Sequence, residues 1–263
     1  MPPRSTHWAA VTPTAKGGLD KDMDEALRWW RKAAEQGIQD AYCRIGECYG
    51  EGNGVLRNAY TAVEYFKKAA DKGHSYAQYR LASVYLRMGL TEEAAKYFEK
   101  AAEQGNAEAQ FNLARMYCFG NGVKQDYAEA VKWLEKAAEY DYWPAVYALG
   151  NCYVMGHGVS VDSYYGFALI QKAAENGLEA ARVSMGDYLY EGRNVKCDYA
   201  KALEWYKKAA EQGNDYSMYQ IGLFYERGLG VSKDLQQARY WYKQAEENGN
   251  VIAAEAIVRI DGQ

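Results

Sequence analysis

Residues 202–213 read Ala-Leu-Glu-Trp-Tyr-Lys-Lys-Ala-Ala-Glu-Gln-Gly, and near copies of this stretch recur along the whole chain. Its final residue, Gly213, has counterparts at Gly37, Gly73, Gly105, Asp141, Gly177 and Gly249. Successive counterparts are 36 residues apart, except for one interval of 32. A fixed period of this size predicts a solenoid built from helical repeats.

The quoted stretch has the spacing of an amphipathic helix. Ala202, Trp205 and Ala209 are separated by three and four residues, so they share one helical face. The two alanines let a neighbouring helix approach, and we expect the Trp at this position, as at Trp133, to fill the remaining gap. Gly213 follows the last turn, where a left-handed C-cap favours glycine.

A second helix is predicted before each copy of the stretch. In one example Ser217, Ile221 and Tyr225 are four residues apart and lie on one face, with Gly222 beside the aliphatic residue. A Gly-x-Gly-Val loop usually links this helix to the next, and an Asp or Asn then stands in position to cap that helix. The predicted caps are Asp22, Asn58, Asp126, Asp162, Asp198 and Asp234. In the third unit the loop is four residues shorter, and we expect Thr91 to take over as the cap.

The combined pattern is Ala-x3-Leu-Gly-x2-Tyr, then Gly-x-Gly-Val-x2-Asp, then Ala-x2-Trp-x3-Ala-Ala-x2-Gly. It resembles the Sel-one-like repeat (SLR) family of the tetratricopeptide superfamily, from about Gly18 to Ile260. The resemblance implies an all-α fold, a right-handed α/α superhelical solenoid of helix-turn-helix repeats. It also implies an adaptor or scaffold role, which in this family includes host-interaction factors and immunity proteins that mask a toxin. We expect residues 1–17 to form a flexible tail and residues 18–263 to form a single solenoid domain with a half repeat at each end.

The composition argues against nucleic-acid binding and a membrane-spanning helix, and it indicates a cellular compartment. The net charge is −4 with acids and bases interspersed, which argues against nucleic-acid binding because that needs a basic stripe. No apolar run approaches the ~18 residues of a membrane helix. The five cysteines fit no disulfide or zinc spacing, and free thiols favour a reducing compartment. We therefore expect a cytoplasmic protein, with export after removal of a signal left open.

Catalysis finds little support in the sequence. None of the three histidines, His7, His74 and His157, has a nucleophile or a metal partner at helical spacing. The Gly-x-Gly loops lack the Gly-Lys-Ser or Gly-Lys-Thr of a phosphate-binding loop. We predict a non-enzymatic protein with no catalytic, cofactor-binding or metal-binding residues.

A protein or peptide partner is the predicted ligand, bound in a concave groove lined by the first helix of each pair. By analogy with tetratricopeptide repeats, the residues two before and two after the buried aliphatic position face this groove. The predicted partner-binding residues are Tyr79, Phe111, Arg115, Tyr147, Asn151, Asp187 and Tyr219. Aromatic residues and arginine are enriched at interface hot spots. The alternative is that the rings pack between adjacent first helices.

Two other functions stay open. The half repeats at the ends suggest either self-association into a homo-oligomer or a longer parent protein. A toxin-neutralising immunity role is a special case of partner binding. The sequence does not identify the partner.

Overall fold

The structure, a computed structural model, describes residues 19–193 and 195–262. These residues form fourteen α-helices and no β-strand, as the helical periodicity predicts. The predicted flexible tail, residues 1–17, lies outside the described part of the chain.

The chain divides into two compact units at Tyr140 and Asp141. Unit 1 contains α1 (Leu19–Glu35), α2 (Gln39–Glu51), α3 (Ala59–Ala70), α4 (Ser75–Arg87), α5 (Thr91–Glu103), α6 (Ala107–Phe119) and α7 (Tyr127–Ala138). Unit 2 contains α8 (Trp143–Met155), α9 (Ser163–Glu175), α10 (Glu179–Glu191), α11 (Tyr199–Ala210), α12 (Asp215–Arg227), α13 (Leu235–Glu247) and α14 (Ala253–Asp261). The prediction of one continuous domain stays a prediction.

Each unit is built from hairpins of two helices. In unit 1, α2 packs on α3, α4 on α5 and α6 on α7, and unit 2 repeats this with α8 on α9, α10 on α11 and α12 on α13. Each hairpin also contacts the next one within its unit, for example through α3 and α4. The first helix of every hairpin is the helix predicted to precede the quoted stretch.

The predicted caps are present in five of the second helices. A side-chain oxygen of the capping residue accepts a backbone N–H of the first turn at Asn58, Asp126, Asp162, Asp198 and Asp234. Two of the predicted caps are wrong. Asp22 lies inside α1, which begins at Leu19. Thr91 is the first residue of α5, and the cap position is Leu90, which makes no side-chain cap bond, because the shortened loop brings the helix start forward.

The predicted left-handed positions also occur. Gly213 has a φ of +91°, and its counterpart Asp141 has a φ of +52°. Asp141 is the one non-glycine residue with positive φ in the described part of the chain. An aspartate tolerates this conformation better than most residues, and its carboxylate lies 3.2 Å from Nζ of Lys172.

The core differs from the prediction by one residue at Trp205, whereas Trp133 is buried as predicted. Trp205 is half-buried, whereas the next residue, Tyr206, is fully buried. The ring of Tyr206 fills the gap between helices because it lies against Gly186 of α10, which has no side chain. The same position is fully buried in the other hairpins, as at Phe66 and Ile170.

Candidate partner-binding surfaces

The predicted partner-binding residues all lie on first helices of hairpins. We call the two groups the unit 1 surface and the unit 2 surface. The unit 1 surface consists of Tyr79 on α4 and Phe111 and Arg115 on α6. The unit 2 surface consists of Tyr147 and Asn151 on α8, Asp187 on α10 and Tyr219 on α12.

The unit 1 surface combines two half-buried rings with a cation. The centre of the Tyr79 ring lies 6.1 Å from that of Phe98 on α5 and 6.3 Å from that of Tyr76. Phe111 is half-buried, and the guanidinium carbon of the exposed Arg115 lies 5.9 Å from its ring centre. Both rings thus support the core with one part while another part reaches solvent.

The unit 2 surface is more polar. The Tyr147 hydroxyl shares a hydrogen bond of 2.9 Å with Ser184 on α10, so this side chain joins two adjacent first helices. The ring centre of Tyr219 lies 5.3 Å from that of Tyr242 on α13. Both tyrosines, and Asn151, are half-buried. The predicted packing between first helices therefore occurs at Tyr147, while its ring remains partly open.

Asp187 has an unusual environment for a carboxylate. Its Oδ1 accepts hydrogen bonds from the hydroxyl of Tyr206, at 2.7 Å, and from that of Tyr216, at 3.0 Å. Burial raises the pKa of Asp187 above its ordinary value of 3.8, although both hydroxyls oppose the rise. Among the described residues, no lysine or arginine forms an ion pair with it. The nearby Arg193 pairs with Glu191 instead.

A carboxylate in unit 1 is paired quite differently. Glu47 on α2 accepts a 2.9 Å hydrogen bond from Nη1 of Arg80 on α4, and a 2.5 Å bond from the Tyr76 hydroxyl. Nη2 of Arg80 lies 2.9 Å from Glu51. This network joins two successive first helices. The sequence did not predict this network, because no local motif links Glu47 to Arg80, 33 positions away.

The structure also brings Cys43, His74 and Asp40 together. The Cys43 sulfur lies 3.7 Å from Nδ1 of His74, and Nε2 of His74 lies 3.0 Å from Asp40. Nδ1 of His74 also accepts the backbone N–H of Ala77, so the ring caps α4. Burial raises the pKa of Cys43 to about 12, which keeps the thiol protonated at neutral pH. A buried, protonated thiol beside a capping histidine fits a structural role.

Two features are absent from the described part of the chain. Within the described ranges, no group of three or more His, Cys, Asp or Glu side chains is placed to hold a metal ion. None of the helices described between residues 19 and 262 is long and apolar enough to cross a membrane.

Comparison with solved structures places the fold among known repeat proteins. A Sel1 repeat protein from Oxalobacter formigenes is 33% identical, with a TM-score of 0.80, and the match covers 92% of this chain and 73% of that one. A protective antigen of uropathogenic Escherichia coli with an SLR fold is 32% identical, with a TM-score of 0.82 over 89% of this chain. This chain spans about half of that antigen, 51% of its length. An immunity protein from Pseudomonas aeruginosa is 23% identical, with a TM-score of 0.55 over 81% of this chain and 82% of its own, and shares the fold.

The sequence itself matches the Sel1 repeat seven times, which confirms the predicted repeat array. The matched segments are residues 15–38, 39–74, 75–106, 107–139, 143–178, 180–214 and 215–250. The matches span most of the chain, and the helical hairpins of both units follow the same repeat. This chain therefore belongs to the Sel1 repeat family, as an all-α solenoid of helix-turn-helix repeats.

Proposed function

We propose that this protein is a non-enzymatic adaptor that binds a protein or peptide partner on the first helices of its hairpins. Sel1 repeats form a protein-interaction scaffold, and this general role follows from membership of the family. The finer proposal assigns the contact to the unit 1 and unit 2 surfaces. One observation carries it: half-buried aromatic rings occupy the same repeat position on four first helices, at Tyr79, Phe111, Tyr147 and Tyr219.

The chemistry of these rings suits a recognition surface. A half-buried ring is held in place by the core and still offers apolar area, so binding it costs little side-chain entropy. Arg115 adds an exposed cation over Phe111, and Asn151 adds a donor and an acceptor beside Tyr147. Such a mixture of aromatic anchors and polar groups is typical of interface hot spots.

The proposal is tested with the double variant Phe111→Ala, Tyr147→Ala. Partners are captured from the native lysate by the unaltered chain and identified by mass spectrometry, and the same capture is repeated with the variant. We expect loss of the partner with retained helical circular dichroism. The control is Tyr164→Ala, which removes an 89% exposed ring at the start of the second helix α9. Equal capture by the double variant would contradict the proposal.

A toxin-neutralising role is the alternative form of the same proposal. It is supported by the shared fold of the immunity protein from Pseudomonas aeruginosa. In that case the captured partner is a toxin, and co-expression of this chain restores growth of cells that make the toxin. A partner without toxicity would favour the general adaptor role.

A further inference from the structure

The Arg80 network of unit 1 has a counterpart in unit 2 that lacks the arginine. Positions 140 residues apart are four repeats apart and occupy equivalent places in their hairpins. The equivalent pairs are Glu47 and Asp187, Glu51 and Glu191, Phe66 and Tyr206, Tyr76 and Tyr216, and Arg80 and Gln220. Both carboxylates and both rings are therefore kept in unit 2, whereas the guanidinium is replaced by a neutral carboxamide.

Unit 1 shows what these groups do when a guanidinium is present. Nη1 of Arg80 lies 2.9 Å from Glu47 and 2.8 Å from the Tyr76 hydroxyl, and Nη2 lies 2.9 Å from Glu51. The guanidinium carbon lies 5.6 Å from the ring centre of Phe66 and 5.7 Å from that of Tyr76. The two carboxylates thus satisfy both ends of the guanidinium fork while the two rings flank the cation.

The unit 2 groups keep the same arrangement. The Tyr216 hydroxyl donates to Asp187, as the Tyr76 hydroxyl donates to Glu47. Gln220 contacts the Tyr216 hydroxyl, as Arg80 contacts that of Tyr76. The ring centres of Tyr206 and Tyr216 lie 6.4 Å apart.

The replacement leaves Asp187 without an ion-pair partner among the described residues, while Glu191 pairs with Arg193. Asp187 receives two neutral hydroxyl donors in place of an arginine. The buried carboxamide oxygen of Gln220 accepts no hydrogen bond in the described part of the chain. Tyr216 is 39% exposed, and the Glu191 side chain is 37% exposed, so a ligand can reach the group from solvent.

We propose that Asp187, Glu191, Tyr216 and Gln220 form a receptor site for the guanidinium of an arginine side chain, with Asp187 held in place by the hydroxyl of the buried Tyr206. This inference rests on the proposed function and names the chemistry of one contact on the unit 2 surface. The partner supplies in trans the group that Arg80 supplies in cis in unit 1. Glu191 exchanges its exposed partner Arg193 for the incoming cation, and Asp187 gains the charge partner that burial makes favourable.

The geometry selects arginine over lysine. Asp187 and Glu191 are four residues apart on α10, so their carboxylates are neighbours on one helical face. A planar guanidinium presents two N–H edges to two such acceptors at once, whereas an ammonium is a single point charge. The exposed part of the Tyr216 ring adds a preference for a flat cation.

The probe for this site is N-acetyl-arginine amide, titrated into the full chain and followed by nuclear magnetic resonance. We expect saturable shifts of the backbone amides of Asp187 and Tyr216 and of the Gln220 side chain. N-acetyl-citrulline amide, a neutral isostere, and N-acetyl-lysine amide are the matched controls. We expect both to bind at least about tenfold more weakly, because neither pairs two carboxylates through a charged fork.

Two variants exchange the relevant residue between the units. Gln220→Arg installs the unit 1 arrangement, so it should fill the site and weaken binding of the arginine probe by at least about tenfold. Arg80→Gln removes the internal cation from unit 1 and should create new saturable shifts around Glu47 and Glu51. The second variant keeps the test decisive if the first fails to fold.

Equal binding of the arginine, citrulline and lysine probes would overturn the inference. Undiminished binding to the Gln220→Arg variant would do the same. The titration needs no partner, so its result is independent of the capture experiment with the Phe111 and Tyr147 variants. If the Phe111 and Tyr147 variant loses its partner but the arginine probe does not bind, only this inference is removed. If the arginine probe binds but that variant still captures the partner, the proposed partner surface is removed.

Discussion

The ring of Tyr206 lies against the backbone of Gly186, so close that a Cβ atom on residue 186 would stand 2.5 Å from Cε1 of the ring. Gly222 has the same relation to Tyr242, at 2.6 Å, and Gly46 to Phe66, at 2.9 Å. A glycine on the first helix and a ring on the second therefore form the contact that closes these hairpins. This contact also orients the Tyr206 hydroxyl toward Asp187.

The glycine contact predicts the effect of a single methyl group. Gly186→Ala should lower the free energy of unfolding by about 1–3 kcal/mol, because the added methyl forces a fully buried ring to move. Gly50→Ala is the matched control, since its Cβ would meet only Ala62, at 3.8 Å. Gly50→Ala should leave the free energy of unfolding unchanged or raise it by up to about 1 kcal/mol, because glycine is a poor helix former. Urea unfolding measures both, and equal effects would contradict this account of the core.

The Arg80 network predicts a stability cost in unit 1. Arg80→Gln should lower the free energy of unfolding by about 1.5–3 kcal/mol, since it leaves Glu47, with a side chain only 14% exposed, paired only with the more exposed Arg44. Glu47→Gln, alone and combined with Arg80→Gln, completes a double-mutant cycle. A coupling free energy near zero would show that the network does not join α2 to α4.

The environment of Asp187 predicts an unusual pH dependence. Its folded-state pKa lies above the unfolded value, so the folded protein binds this proton more tightly. This contribution to the free energy of unfolding is fully present below pH 3.8, the ordinary pKa of an aspartate, and is lost as the pH rises through the folded-state pKa. The stability of the unaltered chain relative to Asp187→Asn should therefore fall as the pH rises above 3.8 and through the folded-state pKa.

The control for the pH measurement is Asp198→Asn. The backbone N–H of Lys201 holds the pKa of Asp198 below its ordinary value. The contribution of Asp198 to the free energy of unfolding is present above its unfolded-state pKa and is lost as the pH falls. The stability of the unaltered chain relative to Asp198→Asn should therefore rise with pH, opposite to the result for Asp187. The same trend in both variants, followed by urea unfolding over the pH series, would contradict the assignment for Asp187.

Charged residues on the outer face of α13 are expected to oppose self-association through this face. Leu203 and Ala210 of α11 are buried, whereas their counterparts one repeat later are the exposed Arg239 and Glu246. Arg239 pairs with Asp261 of α14 at 2.9 Å. Charged residues at these positions disfavour stacking of another hairpin on this face.

Replacing these charged residues with the apolar residues of the preceding repeat should therefore promote self-association. Arg239→Leu with Glu246→Ala restores the apolar residues of the preceding repeat and exposes them on α13. Light scattering over a range of concentrations should give a larger average mass for this variant than for the unaltered chain. An unchanged mass would show that these charges do not control stacking, and the self-association prediction would then depend on other surfaces.

The repeat period predicted most of the architecture from sequence. The helical hairpins, the left-handed residues at Gly213 and Asp141, and the Asp and Asn caps follow from spacing and from the chemistry of each residue type. The buried ring was misplaced by one residue, at Trp205 rather than Tyr206. Consecutive residues point about 100° apart around a helix, and Tyr206, which enters the core, is the one that lies against Gly186 of α10.

The repeat periodicity of the sequence could not predict the polar contacts of the candidate site. Asp187 and Glu47 share one register position, yet one is bonded by two tyrosines and the other by an arginine 33 residues away. Such differences depend on which residue the next repeat supplies, as Arg80 and Gln220 show. Comparison of the repeats with one another at a four-repeat shift was the signal that could have found them.

Photo-crosslinking from defined positions tests the central claim most directly. A benzoylphenylalanine at position 111 or 147 should crosslink to the captured partner, because both residues lie on first helices at the proposed contact. The same residue at position 164, on the second helix α9, should give no crosslink. Crosslinking from position 164, with none from positions 111 and 147, would contradict the account.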